Sequence, residues 1–234
     1  ATIFALLAID YFASQMVTQT VVDQHRARLD RIAKQSAISI GRGLQNVVDT
    51  AESLAANDLV INSLIDASER DRYIPVLFQS LRVPGTMSAH ISLTDYRGRP
   101  ISSNATKTSY AGEPWVGAGM AGGRHLEVKP SGMMVAVPIL VSKFAEGMIV
   151  IKLDKNGLSE LFKLPIQSDT FALMSHGAGY LYASEEYPRD VSRLAPEELR
   201  SNWIRTQTNV YGFPTVQLVV ADRVQTALAA VQRM

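Results

Sequence analysis

Two stretches, ISLTDYRGRPISSN at 91–104 and FALMSHGAGYLYAS at 171–184, share one design. In each, a short apolar strand runs through a tight turn into a second strand that ends in small polar residues. Each is followed by a longer segment that closes on a strand, an aspartate and a helix: GMIVIKLDKNGLSELF from Gly147, and TVQLVVADRVQTALAAV from Thr215. The alternating strands joined by Gly-containing turns are the signature of antiparallel pairing. The chain therefore carries a small unit of strands and helices twice.

Upstream of the first copy lies a long helical pattern. From Asp10 to Asn57 there is no proline, and the only glycines are Gly41 and Gly43. Ala33, Ala37, Ile40, Leu44, Val47, Ala51 and Leu54 recur at steps of four and three, which places them on one helical stripe. Further upstream the stripe drifts through Met16, Val17, Val21 and Leu29. A helix of ~40 residues is ~60 Å long, longer than a small domain is wide, so part of it is expected to stand clear as a stalk or a dimer contact. Each glycine costs about 1 kcal/mol relative to alanine, which would favour a kink. A second helix is predicted over Val60–Ser68, with Asn57 or Asp58 as its N-cap. A third is predicted over Arg70–Leu81, stopped by Pro84-Gly85.

In the first copy, strands at His90–Thr94 and Arg99–Ser102 flank an Asp95–Gly98 turn. A short helix follows at Pro114–Met120, with proline at a tolerated first-turn position. Strands at Arg124–Val128, Met133–Val141 and Gly147–Leu153 complete a sheet, and Asp154 caps a helix reaching Leu164. The second copy reads as strands at Thr170–Met174 and Gly179–Ala183, a brief helix at Pro196–Arg200, and strands at Trp203–Val210 and Thr215–Ala221. A turn at Tyr211–Pro214 joins the last two, and Asp222 caps a terminal helix. The fold class is α+β: a long helix over 1–57, a first unit over 58–154, a linker helix over 155–168, a second unit over 169–222 and a last helix over 223–234. Such a duplicated unit behind one helix is a layout for sensing rather than turnover.

Composition narrows the function further. A formal net charge of +1 supplies no field for nucleic acid, and no Lys/Arg run supplies one locally. The densest basic stretch, Arg26–Lys34, contains Asp30 and reads as a solvated helix face. The absence of cysteine removes thiolate catalysis, Cys-based metal sites and a disulfide framework. No run approaches the ~18–20 apolar residues that span a bilayer. The opening ATIFALLAI is apolar to Asp10 and lacks a signal peptide's basic start; it reads as the outer end of a membrane helix or as a core helix.

Most motif matches fail on context. Gly117–Gly122 spells GxGxxG, but that motif needs a strand before it and a long helix after it to hold a pyrophosphate. Here a short helix precedes and a strand follows. His25, His90, His125 and His176 have no zinc-ligand spacing, and there is no GxSxG elbow. Asp154-Lys155-Asn156-Gly157 begins like a calcium loop, but its glycine comes too early and no glutamate closes it. No metal, no cofactor and no catalytic residue is expected.

One cluster remains. Tyr110, Glu113, Trp115, Arg124, His125 and Lys152, with Lys129, put aromatic, acidic and basic groups around one loop, helix and sheet, a composition suited to a small-ligand pocket. Lys152 lies inside an apolar strand, where it either snorkels at a sheet edge or meets an anion. Trp115 reads equally as a core aromatic, and His125 as a hydrogen-bonded sheet residue.

At these residues the chain resembles the double Cache family of bacterial extracytoplasmic sensor domains. The resemblance rests on the order of elements: stalk helix, membrane-distal unit, linker helix, smaller membrane-proximal unit, exit helix. It implies a small-molecule ligand in the distal unit, between the sheet and the short helix after its second strand. It also implies a periplasmic position between flanking membrane spans, a homodimer contact through the first helix, and a full-length sensor histidine kinase, with a chemoreceptor or cyclic-dinucleotide enzyme as alternatives. Family members commonly carry Arg-Pro-aromatic on the short helix, with the arginine on a ligand carboxylate. Here Glu113-Pro114-Trp115 replaces the arginine by an acid. Amino-acid-binding members tend to have aspartate where this chain has Lys152, which looks more like the dicarboxylate-sensing members. That likeness implies that Lys152, with Arg124 or His125, holds an anion such as a small carboxylate. Glu113 must then pair with Arg124 or meet a ligand ammonium. The rival of another class is a small hydrolase with Ser, His and Asp assembled in space.

Overall fold

A computed structural model of the chain describes residues 2–83, 89–162, 170–176, 179–183 and 203–224. The expected α+β architecture is present. Helix α1, Thr2–Ala55, is 54 residues long and falls within the long helix expected over 1–57. Helical structure continues through Gly41 and Gly43. A Cβ on Gly43 would stand 3.4 Å from the Leu161 side chain, so its small size serves close packing. The chain divides into two compact units, residues 40–163 and residues 1–39 with 164–234.

In the unit of residues 40–163, the α1 stripe supplies Ile40, Leu44, Val47, Ala51 and Leu54 to the core, each at most 4% exposed. Helix α2, Asp58–Ile65, is capped by Asn57, whose side chain accepts the Leu59 amide at 2.9 Å. Helix α3, Ala67–Ser80, continues through Pro75; the stop expected at Pro84-Gly85 lies outside the described residues. Five strands follow: β1 Ala89–Asp95, β2 Pro100–Ser103, β3 His125–Lys129, β4 Gly132–Val141 and β5 Phe144–Asp154. They form an antiparallel sheet in the order β2-β1-β5-β4-β3. Helix α4, Pro114–Met120, connects β2 to β3, and α5, Lys155–Leu161, leaves β5.

Local chemistry explains the design of the first hairpin. The Asp95 carboxylate accepts the Arg97 amide at 2.8 Å and the Arg99 amide at 2.9 Å, and it pairs with Arg99 Nε at 2.7 Å. Partial burial pushes this carboxyl up, but those hydrogen bonds outweigh it and hold it below the usual range. Its contribution is therefore complete above the unfolded value and lost as pH falls through the lowered one. At the other end, Asn104 takes over from the ending ladder: its side chain accepts the Ile91 amide at 2.8 Å and donates to the Ala89 carbonyl at 3.0 Å. Asp154 caps α5 as expected, accepting the Gly157 amide at 2.8 Å.

The second sheet contains β6 Thr170–His176, β7 Gly179–Ala183, β8 Trp203–Val210 and β9 Phe213–Arg223, in the order β7-β6-β9-β8. The turn before β9 is shorter than expected, because Phe213 and Pro214 belong to the strand. A register shift in the β8–β9 pairing falls here, a position that tolerates a residue without an amide hydrogen. The helix expected at Pro196–Arg200 lies outside the described residues.

The terminal helix that Asp222 is expected to cap lies beyond residue 224, outside the described residues. Asp222 itself belongs to β9 and is 4% exposed. Its Oδ2 lies 2.7 Å from His25 Nε2 on α1, and its Oδ1 accepts the Arg223 amide at 2.7 Å. Thr206 to Asp30, at 3.5 Å, and the Tyr211 amide to the Ala37 carbonyl, at 3.3 Å, join α1 to the same sheet. Removing one partner of a buried pair strands the other. His25→Ala is therefore expected to cost this unit about 2–3 kcal/mol, and Asp222→Asn less, since the amide oxygen can still accept. The chain has two tryptophans, Trp115 in one unit and Trp203 in the other. Urea unfolding followed by Trp203 fluorescence in a Trp115→Phe background measures the loss, and an unmoved midpoint would show that the pair adds nothing.

Candidate functional site

The candidate site is built on the face of the first sheet that carries α4. Strand alternation sends Ile149, Ile151 and Leu153 to one face, all fully buried, and Met148, Val150 and Lys152 to the other. On that second face Met148, Val150, Ala136 and Val116 form a buried cluster, with Tyr110, Trp115, Met120 and Met134 packed against it. Gly119 lets α4 settle here, because a Cβ at that position would overlap the end of the Met148 side chain. The glycines of the GxGxxG match thus serve packing and chain reversal: Gly119 is buried in a seven-residue helix, and Gly122 has a φ of +91° just after it.

Beyond this cluster the surface opens into a cavity of about 280 Å³ lined by Tyr110, Glu113, Trp115, Glu127, Lys129, Ser131, Gly132, Met133, Met134 and Lys152. Small-molecule pockets range over about 300–1,000 Å³; this one lies just below that range, the size for a small metabolite. Lys152 stands on β5, the central strand of five, so it does not snorkel at an edge. Its register partners are Met134 on β4 and His90 on β1, which places His90 on the same face.

The Tyr110 amide donates to the Gly98 carbonyl at 2.8 Å, and the Tyr110 carbonyl accepts the Glu113 amide at 3.1 Å. These bonds tie the approach to α4 to the first hairpin. Glu113 is the N-cap of α4 by backbone position, but its side chain makes no capping bond. Burial pushes the Tyr110 phenol up, so it remains a neutral donor at physiological pH. The Tyr110 and Trp115 rings meet at 5.3 Å and a tilt of 58°, and Trp115 stacks on His125 at 5.3 Å and 12°.

Four of the six residues singled out from sequence, Tyr110, Glu113, Trp115 and Lys152, line this cavity. The other two stand outside its lining. His125 lies behind Trp115, and its buried Nε2 has no hydrogen-bond partner, so it is not the hydrogen-bonded sheet residue considered from sequence. Arg124 precedes β3 and is held by Glu52 of α1 at 2.9 Å, so it pairs with neither Glu113 nor a group in the cavity. Glu127 and Met134 were not singled out. Their signal is period two, since His125, Glu127 and Lys129 share one face of β3, but only the pairing of β3 with β4 turns that face toward Lys152. Among the described residues, no group of three His, Cys, Asp or Glu could hold a metal ion, and no helix is long and apolar enough to cross a membrane.

No protein-family model and no curated protein matches the sequence. Solved structures do. The sensor domain of the histidine kinase DctB of V. cholerae aligns with a TM-score of 0.60 at 14% identity, over 88% of this chain and 98% of that one. The ligand-binding domain of the Campylobacter jejuni chemoreceptor Tlp3, in complex with L-norvaline, aligns at 0.67 and 9% identity, over 89% and 94%. That of the Pseudomonas aeruginosa PAO1 amino acid chemoreceptor PctB, in complex with L-Arg, aligns at 0.60 and 15% identity, over 88% and 98%. The chain has the double Cache fold. At such identities the likeness extends to the fold alone, and any reading of the cavity rests on this chain's own residues.

Two outcomes follow from the geometry. Arg124→Ala removes an ion pair whose side chains are 58% and 47% exposed, so stability is expected to change by less than about 1 kcal/mol in urea titration. Gly132 has a φ of +145°, and a Cβ there would overlap the Leu153 carbonyl oxygen. Gly132→Ala is expected to cost about 3 kcal/mol, read from the unfolding midpoint reported by Trp115 in a Trp203→Phe background.

Proposed function

We propose that the chain is the small-molecule-sensing part of a transmembrane receptor, with the ligand held in the cavity beneath α4. The observation that carries this reading is the cavity itself: an aromatic corner of Tyr110 and Trp115 beside charged groups from the start of α4, β3 and β5, placed on an apolar platform. Recognition of a metabolite needs that combination, an apolar body with a few placed polar groups. The fold neighbours support it, since Tlp3 and PctB are chemoreceptors with bound amino acids and DctB is a histidine kinase sensor domain.

In this reading the unit over 58–154 is membrane-distal, residues 155–168 link it to a proximal unit over 169–222, and the first and last helices lead to membrane spans on the periplasmic side. Ligand binding favours one arrangement of the domain, by no more than its difference in affinity between the two arrangements. The receptor is inferred to be a sensor histidine kinase that dimerises through α1. The chemoreceptor neighbours favour the second reading, a chemotaxis receptor with the same input.

A thermal-shift panel of amino acids, small amines and small carboxylates tests the proposal. At least one compound is expected to raise the melting temperature, to perturb Trp115 fluorescence in a Trp203→Phe background, and to be recovered unchanged. Turnover of the compound would overturn the sensing reading, and Trp115→Ala is expected to abolish the shift.

A further inference from the structure

The charges around the cavity do not all remain available to a ligand. Glu113, Glu127, Lys129 and Lys152 are the charged residues of its lining. Lys129 Nζ lies 2.6 Å from Glu127 Oε1, so that pair cancels. Arg124, next to His125 in the chain, is drawn away by Glu52 at 2.9 Å. Lys152 and Glu113 are left: neither side chain has an ion-pair or hydrogen-bond partner among the described residues, and they do not pair with each other. One cation stands on the central strand and one anion stands at the start of α4.

Their surroundings differ in a way that gives the site a direction. Glu113 shares its wall with the two rings of the Tyr110–Trp115 corner. A carboxylate beside aromatic rings is the chemistry that receives an organic cation, through charge pairing and the negative ring faces. Lys152 stands on the sheet beside Met134, where no acidic side chain is left unpaired to compete for it. A carboxylate is the complementary group there.

We propose, on the basis of the sensing reading above, that the ligand is a zwitterion bound in one direction, its ammonium at Glu113, Tyr110 and Trp115 and its carboxylate at Lys152. A dicarboxylate would set its second charge against Glu113, and a diamine against Lys152. Both are disfavoured by like-charge contact as well as by lost pairing. Each end of the zwitterion is thus selected by one residue.

The test is calorimetric titration of the 234-residue chain with defined probes: the proteinogenic L-amino acids and γ-aminobutyrate as zwitterions, with succinate and putrescine as single-sign controls. The tightest zwitterion is then compared with its carboxamide and its N-acetyl derivative on the wild type, Lys152→Met and Glu113→Gln. Lys152→Met is expected to weaken the parent compound at least tenfold and leave the carboxamide unweakened. Glu113→Gln is expected to weaken the parent at least tenfold and leave the N-acetyl derivative unweakened. The crossed pattern, with Lys152→Met silent only toward the N-acetyl derivative, would overturn the direction. If succinate or putrescine binds best and Trp115→Ala abolishes that binding, the zwitterion proposal falls while sensing stands. If no probe binds the wild type, both fall. Circular dichroism of the two variants, whose substitutions lie on exposed positions, confirms that they fold.

Discussion

The alternation of β5 is the constraint on which the site depends. A strand with helices over both faces of its sheet must bury both sets of side chains, and MIVIKLD does so at every position from Met148 to Leu153 except Lys152. The exception falls where α4 ends its cover. Val116 and Gly119 lie on Met148 and Val150, and the next residue on that face is the lysine. A buried unpaired ammonium would be costly. The sheet therefore stays open above Lys152, and that opening is the cavity.

The same economy decides which charges face it. Arg124 finds a carboxylate on α1 and Lys129 finds one two residues away on its own strand. Neither pairing is strong in water, yet each fixes where a long basic side chain spends its time. Glu113 is placed by backbone bonds: its amide donates to the Tyr110 carbonyl, and its carbonyl accepts the Val116 amide. Its carboxylate is then not needed for the helix it begins.

The other unit shows a different use of charge. His25 and Asp222 are 197 positions apart, and their side chains are 15% and 5% exposed. A buried carboxylate at the end of an apolar strand face, after Val216, Leu218 and Val220, requires a partner, and α1 provides it. Contact of this kind ties the position of a helix to a strand more specifically than apolar packing does.

Periodicity and turn chemistry made most of the fold legible. Steps of three and four marked α1, Pro114 marked the start of α4, and the repeated hairpins marked both sheets, because these signals act over a few residues. The cluster from Tyr110 to Lys152 was visible because charged and aromatic residues are conspicuous in apolar company. What sequence left open was pairing. It could not say that Arg124 goes to Glu52, that Glu127 turns toward Lys152, or that Asp222 binds His25. Electrostatic partners are chosen by distance in space, over separations of 72 and 197 residues for two of these pairs. The sequence by itself determined the elements and a set of candidate residues, because those signals are local; the tertiary structure decided which of their charges are paired within the protein, because pairing depends on distance in space.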